Sequence, residues 1–332
     1  MLPTVLIAES SRFSRTAVDH VRAMAHVELA GLDRRGLLER VPNAEILWVR
    51  LRHRIDRQVM EAAPRLQAIA TATTGLNHID VLEAQRRNIQ IISLRGQTEF
   101  LRGVYATAEH TMALIFASMR RLPAACQDVA RGGWNRDLFL GRELHGKTAG
   151  VVGYGRVGRM VAHYLCAFGM RVLVTDPREN SESVEPGIEF MSFHDLLAAS
   201  DVVTLHVELS DNTRGFFGRH EFGRMKQGSW FINTARGELV DEAALLRTLR
   251  SGQIAGAALD VMSNERSQGM NRRPLIEYAR LHDNLLITPH IGGWTAESRE
   301  KTENFLAEQV VAFLRAQTGH IRIDTRDWEG VR

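Results

Sequence analysis

Short apolar runs alternate along most of the chain with stretches whose apolar residues recur every three or four positions. The runs at 4–8, 27–30, 46–49, 66–72 and 89–93 predict buried strands. Ile55 to Ala63 and Ile79 to Arg87 predict intervening helices. A longer helix is expected from about Ala106 to Arg120, with Ala108, Met112, Ile115, Phe116 and Met119 as its apolar stripe. Pro123 should stop or kink it, and Gly132-Gly133 and Gly141 to Gly146 mark loops. A second array follows, with strands expected at 148–152, 171–175, 202–207, 229–234, 254–259 and 285–288. Its helices should start near Gly158, Phe193, Arg219, Asp241 and Ala296. Strands alternating with helices predict an α/β fold of two doubly wound parallel-sheet domains.

The last helix, about Ala296 to Ala316, is long, and Ile321-Arg322-Ile323 beyond it is too little for a third domain. The simplest packing sends this helix back to the first domain, so that the chain crosses twice and forms a hinge. No repeat of solenoid length and no low-complexity segment appears.

Composition narrows the function classes. The chain has 332 residues, 44% apolar and 24% charged, the profile of a soluble globular protein of two domains. A formal charge of +3 without a basic tract gives no sign of a nucleic-acid partner. No apolar stretch is long enough to span a membrane, and Glu9, Arg12 and Arg15 interrupt any signal-like start. The two cysteines, Cys126 and Cys166, lack metal-like spacing and are expected to be buried thiols in a reducing compartment. No metal site is expected.

The most informative stretch is Gly153-Tyr154-Gly155-Arg156-Val157-Gly158. An apolar run, Ala149 to Val152, precedes it, and Met160, Val161, Tyr164, Leu165 and Phe168 follow at helical spacing. Gly153 would allow the tight turn, Gly155 the approach of a pyrophosphate, and Gly158 close helix–strand packing. The helix N-terminus would attract the phosphates. Asp176, 18 residues past Gly158, ends the next strand. A carboxylate there can accept ribose hydroxyls and would repel a 2′-phosphate, so NAD is favoured over NADP.

Three later strands end in residues with chemistry. The first runs into Asn233-Thr234-Ala235-Arg236-Gly237, the second into Asp260 with Glu265 beyond, and the third into Pro289-His290-Ile291-Gly292-Gly293. Histidine can take or return a hydroxyl proton as hydride moves. A carboxylate against it would orient the ring and stabilise the imidazolium, and arginine can clamp a substrate carboxylate and polarise the adjoining carbonyl.

These residues resemble the D-isomer-specific 2-hydroxyacid dehydrogenases. The resemblance is phosphoglycerate dehydrogenase-like, without a regulatory C-terminal domain. It rests on Thr74-Gly75-Leu76-Asn77-His78-Ile79-Asp80, Ala108-Glu109-His110-Thr111, Gly146-Lys147-Thr148, the glycine turn, His206, Thr234 to Gly237, Glu265 and His290 to Gly293. It implies Arg236 as substrate ligand, Glu265 as the group tuning the histidine, and His290 as acid/base. It further implies that Thr74 and Gly75 amides hold the substrate carboxylate. Asp260 would lie near the nicotinamide amide and Tyr154, Gly155, Arg156 and Val157 around the pyrophosphate. His206, Thr234, Ala235, Gly292 and Gly293 are the further candidates for cofactor contact. Residues 1–119 with 297–332 would form the substrate domain and 120–296 the NAD-binding Rossmann domain, with the active site in the cleft between them. A homodimer, a cytoplasmic location and a 2-hydroxy or 2-keto acid substrate are expected.

The basic residues Arg50 and Arg52 close strand 46–49 and could meet the far end of an anionic substrate such as 3-phosphoglycerate. His78 and His110 are expected to pack or cap. The chain departs from the family pattern in three places. Segment 93–103 is long and lacks the usual Asn-x-Pro-Gly, Glu265 is followed by a polar stretch through Arg273, and Trp294 replaces a small residue. Two other functions stay open: an NAD(H)-gated binding or corepressor-type protein, and a dehydrogenase of formate or another small anion.

Overall fold

The computed structural model describes residues 2–178, 185–265 and 272–317. They fall into two compact units, residues up to 103 together with those from 295 onward, and residues 104–294. The first unit holds strands β1 (Thr4–Ile7), β2 (His26–Leu29), β3 (Ile46–Val49), β4 (Ala68–Thr71) and β5 (Gln90–Ser93). They form a parallel sheet in the order β2-β1-β3-β4-β5. Alternate residues feed opposite faces: Val5, Ile7, Ile46 and Trp48 join one core, and Leu6, Leu47, Val49 and Ile69 the other. Both faces of the inner strands β1, β3 and β4 are covered, so these read as unbroken apolar runs, whereas the edge strands β2 and β5 are only partly buried. Leu306, Ala307, Val310 and Phe313 of the last helix, Ala296–Gln317, complete the first of these cores.

The second unit holds β6 (Thr148–Val152), β7 (Arg171–Thr175), β8 (Ile188–Phe190), β9 (Val202–Leu205), β10 (Ser229–Asn233), β11 (Ile254–Leu259) and β12 (Leu285–Ile287). The order is β12-β11-β10-β9-β6-β7-β8 and every pair is parallel. The chain winds outward from β6 to β8, then resumes at β9 on the other side. This reversal between β6 and β9 is the topological switch point, where ligands of open sheets bind beyond the strand C-termini.

Several elements differ from expectation. Edge strand β8, only three residues, and the helix Pro274–Leu281 were not anticipated. The helix Ala106–Met119 packs against β10, β11 and the helix after β6, so it belongs to the second unit rather than to residues 1–119. Pro123 does not merely end that helix. Arg121 turns the chain at φ +52, and Pro123 sits in the first turn of a new helix, Leu122–Ala130, where its missing N–H costs nothing. Cys126 is exposed and Cys166 half-buried, so the expectation of two buried thiols fails; both are unpaired. Residues 266–271 and 318–332, including Ile321 to Ile323, lie outside the described residues.

Candidate active site

The glycine turn after β6 has the anticipated division of labour. Gly153 has φ +94, and a Cβ there would meet the His206 carbonyl oxygen at 2.6 Å. A Cβ on Gly158 would lie 2.0 Å from the Gly153 oxygen. At Gly155 a Cβ would meet only the Arg178 guanidinium, at 3.9 Å, so this side is open to an approaching ligand. Gly155 caps the helix Arg156–Ala167, whose first N–H groups have no partner within the helix. That is a cradle for a pyrophosphate.

Side chains around the turn are more occupied than their sequence positions suggest. Tyr154 is wholly buried, lies under the Arg159 guanidinium at 4.2 Å, and donates its N–H to Asp176 Oδ2 at 3.0 Å. Arg156 donates to the Val104 carbonyl at 2.9 Å. Asp176 Oδ1 accepts from the Arg178 N–H at 3.0 Å and Nε at 3.2 Å. Burial opposes the charge of Asp176, but these hydrogen bonds and the Arg178 cation hold its carboxyl below the usual range. Residues 155–157 and the Asp176 carboxylate together fit a dinucleotide.

β10, β11 and β12 are neighbours, so the loops that carry Arg236, Glu265 and His290 leave adjacent strands, and the Arg236 guanidinium donates to the Ala235 carbonyl at 2.6 Å. The central contact is direct: His290 Nδ1 lies 2.6 Å from Glu265 Oε1, with both side chains about four-fifths buried, at 23% and 20% exposure. The ring engages Glu265 through Nδ1 rather than Nε2. His290 occupies the left-handed region, φ +56, which a non-glycine residue adopts only when its surroundings demand it.

Asp260 supplies that demand. Its Oδ1 accepts from the Thr288 hydroxyl at 2.6 Å and the Ile291 N–H at 2.9 Å, and its Oδ2 from the Gly292 N–H at 2.7 Å. His110 Nε2 stands 3.2 Å from the same carboxylate and 3.1 Å from the Thr288 hydroxyl. Burial would raise the Asp260 pKa, but these donors outweigh it and keep the group ionised below the ordinary range. Gly292 must lack a Cβ, which would sit 2.9 Å from Oδ2. His110 is thus part of the scaffold around His290, a role its helix position concealed.

The Arg236 loop is braced by Asn233, whose side chain accepts the Ala235 N–H at 3.0 Å and donates to the Arg236 carbonyl at 2.9 Å. Thr234 shares a buried 2.8 Å hydrogen bond with Thr111. A Cβ on Gly237 would fall 1.9 Å from the Met262 carbonyl carbon. The Arg236 loop and the Glu265 loop therefore touch at a glycine no other residue could replace without movement. His206, after β9, is pushed down to about 3 by burial and stays neutral at working pH. It shares a 3.0 Å contact with Thr204, so it contributes shape and a hydrogen bond rather than a proton.

In the first unit, Thr74 and Gly75 follow β4, where the Thr73 hydroxyl bonds the Gly75 carbonyl at 2.9 Å. His78 is buried against the Thr71 hydroxyl at 3.1 Å. Arg50 is committed within its unit: it pairs with buried Glu303, donates to the Glu9 and Ser11 carbonyls at 3.0 and 2.9 Å, and covers the Phe13 ring. Arg52 is exposed. Trp294 is 45% exposed. Among the described residues, His194, His220 and Glu221 bring possible metal-ligand atoms within 4.8 Å of one another. Glu221, however, caps Gly218 and Arg224 donates to His220 Nε2, so a helix end already employs them.

The comparisons with known proteins meet this geometry at its core. Residues 112–292 match the family model described as D-isomer specific 2-hydroxyacid dehydrogenase, NAD binding domain. The chain belongs to this family. It is 39% identical over 310 residues to a D-3-phosphoglycerate dehydrogenase of Archaeoglobus fulgidus, covering 92% of this chain and 56% of that one. The chain thus spans about half the length of the curated phosphoglycerate dehydrogenases it matches. A glyoxylate reductase of Thermofilum pendens is 36% identical over 86% of this chain and 82% of its own. Among solved structures, D-lactate dehydrogenase from Aquifex aeolicus, complexed with NAD and lactic acid, superposes with a TM-score of 0.82 at 28% identity, covering 96% and 97% of the two chains. As a 2-hydroxyacid dehydrogenase family member the chain carries the glycine turn and the His290–Glu265 pair inside the matched segment.

Proposed function

We propose that the protein is an NAD(H)-dependent oxidoreductase that interconverts a D-2-hydroxy acid and its 2-keto acid. The observation that carries this is the 2.6 Å contact between His290 and Glu265 beside the Arg236 loop. When bound, the nicotinamide supplies or accepts a hydride at substrate C2. The Gly155–Val157 amides would hold the pyrophosphate, and Asp176 would receive the ribose. Arg236 clamps the substrate carboxylate and polarises the C2 carbonyl. In the reducing direction His290 donates its proton to the developing alkoxide, and in the oxidising direction it removes the hydroxyl proton. Glu265 orients the ring through Nδ1 and stabilises the imidazolium.

For the substrate we propose an anionic acid such as 3-phosphoglycerate or hydroxypyruvate. The Thr74 and Gly75 amides would meet its carboxylate. Exposed Arg52, rather than the committed Arg50, is the better candidate for a distal charge. A homodimer and a cytoplasmic location complete the proposal. The dimer is supported by an exposed apolar segment, with Trp134 at 88% and Leu140 at 84% exposure, beside a helix, Leu122–Ala130, that buries none of its residues.

The test is oxidation of NADH followed by absorbance against a panel of 3-phosphohydroxypyruvate, hydroxypyruvate, glyoxylate, pyruvate and 2-ketoglutarate. Turnover of at least one supports the proposal. Tight NADH binding with no turnover across the panel contradicts it and points to an NAD(H)-gated binding protein, or to a dehydrogenase of formate or another small anion.

A further inference from the structure

Glu265 stands on a segment that departs from the family pattern, and the structure shows a fastening at that segment's base. Glu242 Oε1 accepts the Ser263 N–H at 2.6 Å, and Glu242 Oε2 accepts from Arg273 Nη2 at 2.7 Å. Arg273 Nη1 donates to the Ser263 carbonyl. One ion pair therefore grips both backbone polar groups of Ser263, two residues before Glu265, and ties them to Arg273, eight residues after it. Both partners are mostly buried, at 22% and 18% exposure, where a charged pair is poorly screened and removal of one partner is felt.

Neither side chain caps its own helix. Glu242 opens the helix Glu242–Ser251, but the cap there is Asp241, which accepts from the Ala243 and Ala244 N–H groups at 2.9 and 3.0 Å. Arg273 stands at the N-cap of Pro274–Leu281, where a cation opposes the helix dipole. Gly237 packs its backbone on Met262 and Ser263, so the gripped residue is also the one the Arg236 loop rests upon.

We propose that Glu242 and Arg273 form a positioning clasp that holds Glu265 at hydrogen-bond distance from His290. The clasp is a positioning device: it would act through Glu265 first, and through the Arg236 loop that rests on Ser263 only to the extent that Ser263 itself shifts. Fixing Ser263 lowers the conformational freedom that Glu265, two residues on, would otherwise lose on each encounter with His290. This rests on reading His290–Glu265 as the proton-carrying pair.

The test uses Arg273→Met, with Glu242→Gln as a gentler second variant, each alone and in a Glu265→Gln background, in the full chain. Arg273→Met should lower kcat by about tenfold with the NADH dissociation constant within about twofold of wild type. In the Glu265→Gln background the same change should cost less than about twofold, because the group it positions is gone. Arg273→Lys should recover part of the loss. A readout independent of turnover is proton NMR. The imidazole N–H shared by His290 and Glu265 should resonate far downfield, vanish in Glu265→Gln, and broaden or shift in Arg273→Met and Glu242→Gln. Full additivity of Arg273→Met with Glu265→Gln, or a resonance unmoved in both clasp variants, overturns the clasp. A resonance that responds as expected in a protein that reduces no keto acid sustains the clasp and sinks the dehydrogenase reading instead.

Discussion

A left-handed histidine does not hold itself. The Thr288 hydroxyl before His290 and the Ile291 and Gly292 N–H groups after it all donate to Asp260, with His110 against the same carboxylate, so Asp260 orders the imidazole without touching it. Asp260→Asn keeps the volume but replaces one acceptor oxygen with a donor, which must face a donor in turn. Its cost should be about 2–4 kcal/mol in stability, with a larger loss in kcat than in NADH affinity. The pH dependence has a definite sign. A carboxyl whose folded pKa is depressed contributes fully above the ordinary carboxylate range and loses its contribution only as pH falls through the depressed value. Urea midpoints of wild type and Asp260→Asn should therefore not converge between about pH 7 and about pH 5, since both lie above the ordinary value near 4 and any proton gained by His110 against the carboxylate can only widen the gap. A gap that closes within that window contradicts the assignment. The strand-end positions of Arg236, Glu265 and His290 were legible from the chain, because a parallel sheet puts chemistry at its C-terminal edge. The clamp by Asp260 and the contribution of His110 were not. They depend on backbone N–H groups of a loop and on a residue 150 positions away from Asp260, neither of which leaves a pattern in spacing.

At the level of elements, strands buried on both faces announce themselves as unbroken apolar runs, and eleven of the twelve strands among the described residues were legible in the chain, the inner ones for that reason. β8 was missed because an edge strand of Ile-Glu-Phe has one apolar face and little length. The helix Pro274–Leu281 was missed because a polar stretch with arginines precedes it, and its start depends on Pro274 in the first turn. Glycines do for loops what apolar runs do for strands. Gly153 and Gly158 shape the dinucleotide turn, whereas Gly237 joins the two loops that carry Arg236 and Glu265, the proposed catalytic groups. Gly237→Ala must push the Arg236 loop off Met262 and Ser263. It should cost about 1–3 kcal/mol of stability and lower kcat/KM by about tenfold or more, as loops displaced by about an ångström lose alignment. Steady-state kinetics with thermal melts check both; unchanged kinetics would show that the two loops need not touch.

At the scale of the molecule, each unit repeats one plan, a parallel sheet packed by apolar side chains on both faces. The exposed run through Leu122, Val129, Trp134, Leu138 and Leu140 breaks that economy, since water gains nothing from so much apolar surface. Replacing Trp134 and Leu140 together with glutamate should convert a dimer into a monomer by sedimentation velocity while leaving the fold intact. A wild type that sediments as a monomer contradicts the homodimer. What the whole arrangement is proposed to do comes down to one imidazole. With the keto acid that wild type reduces fastest, His290→Gln should lower kcat by about 100-fold or more while binding NADH as wild type does. A His290→Gln protein that keeps more than about a tenth of the wild-type rate contradicts the assignment of the proton to this residue.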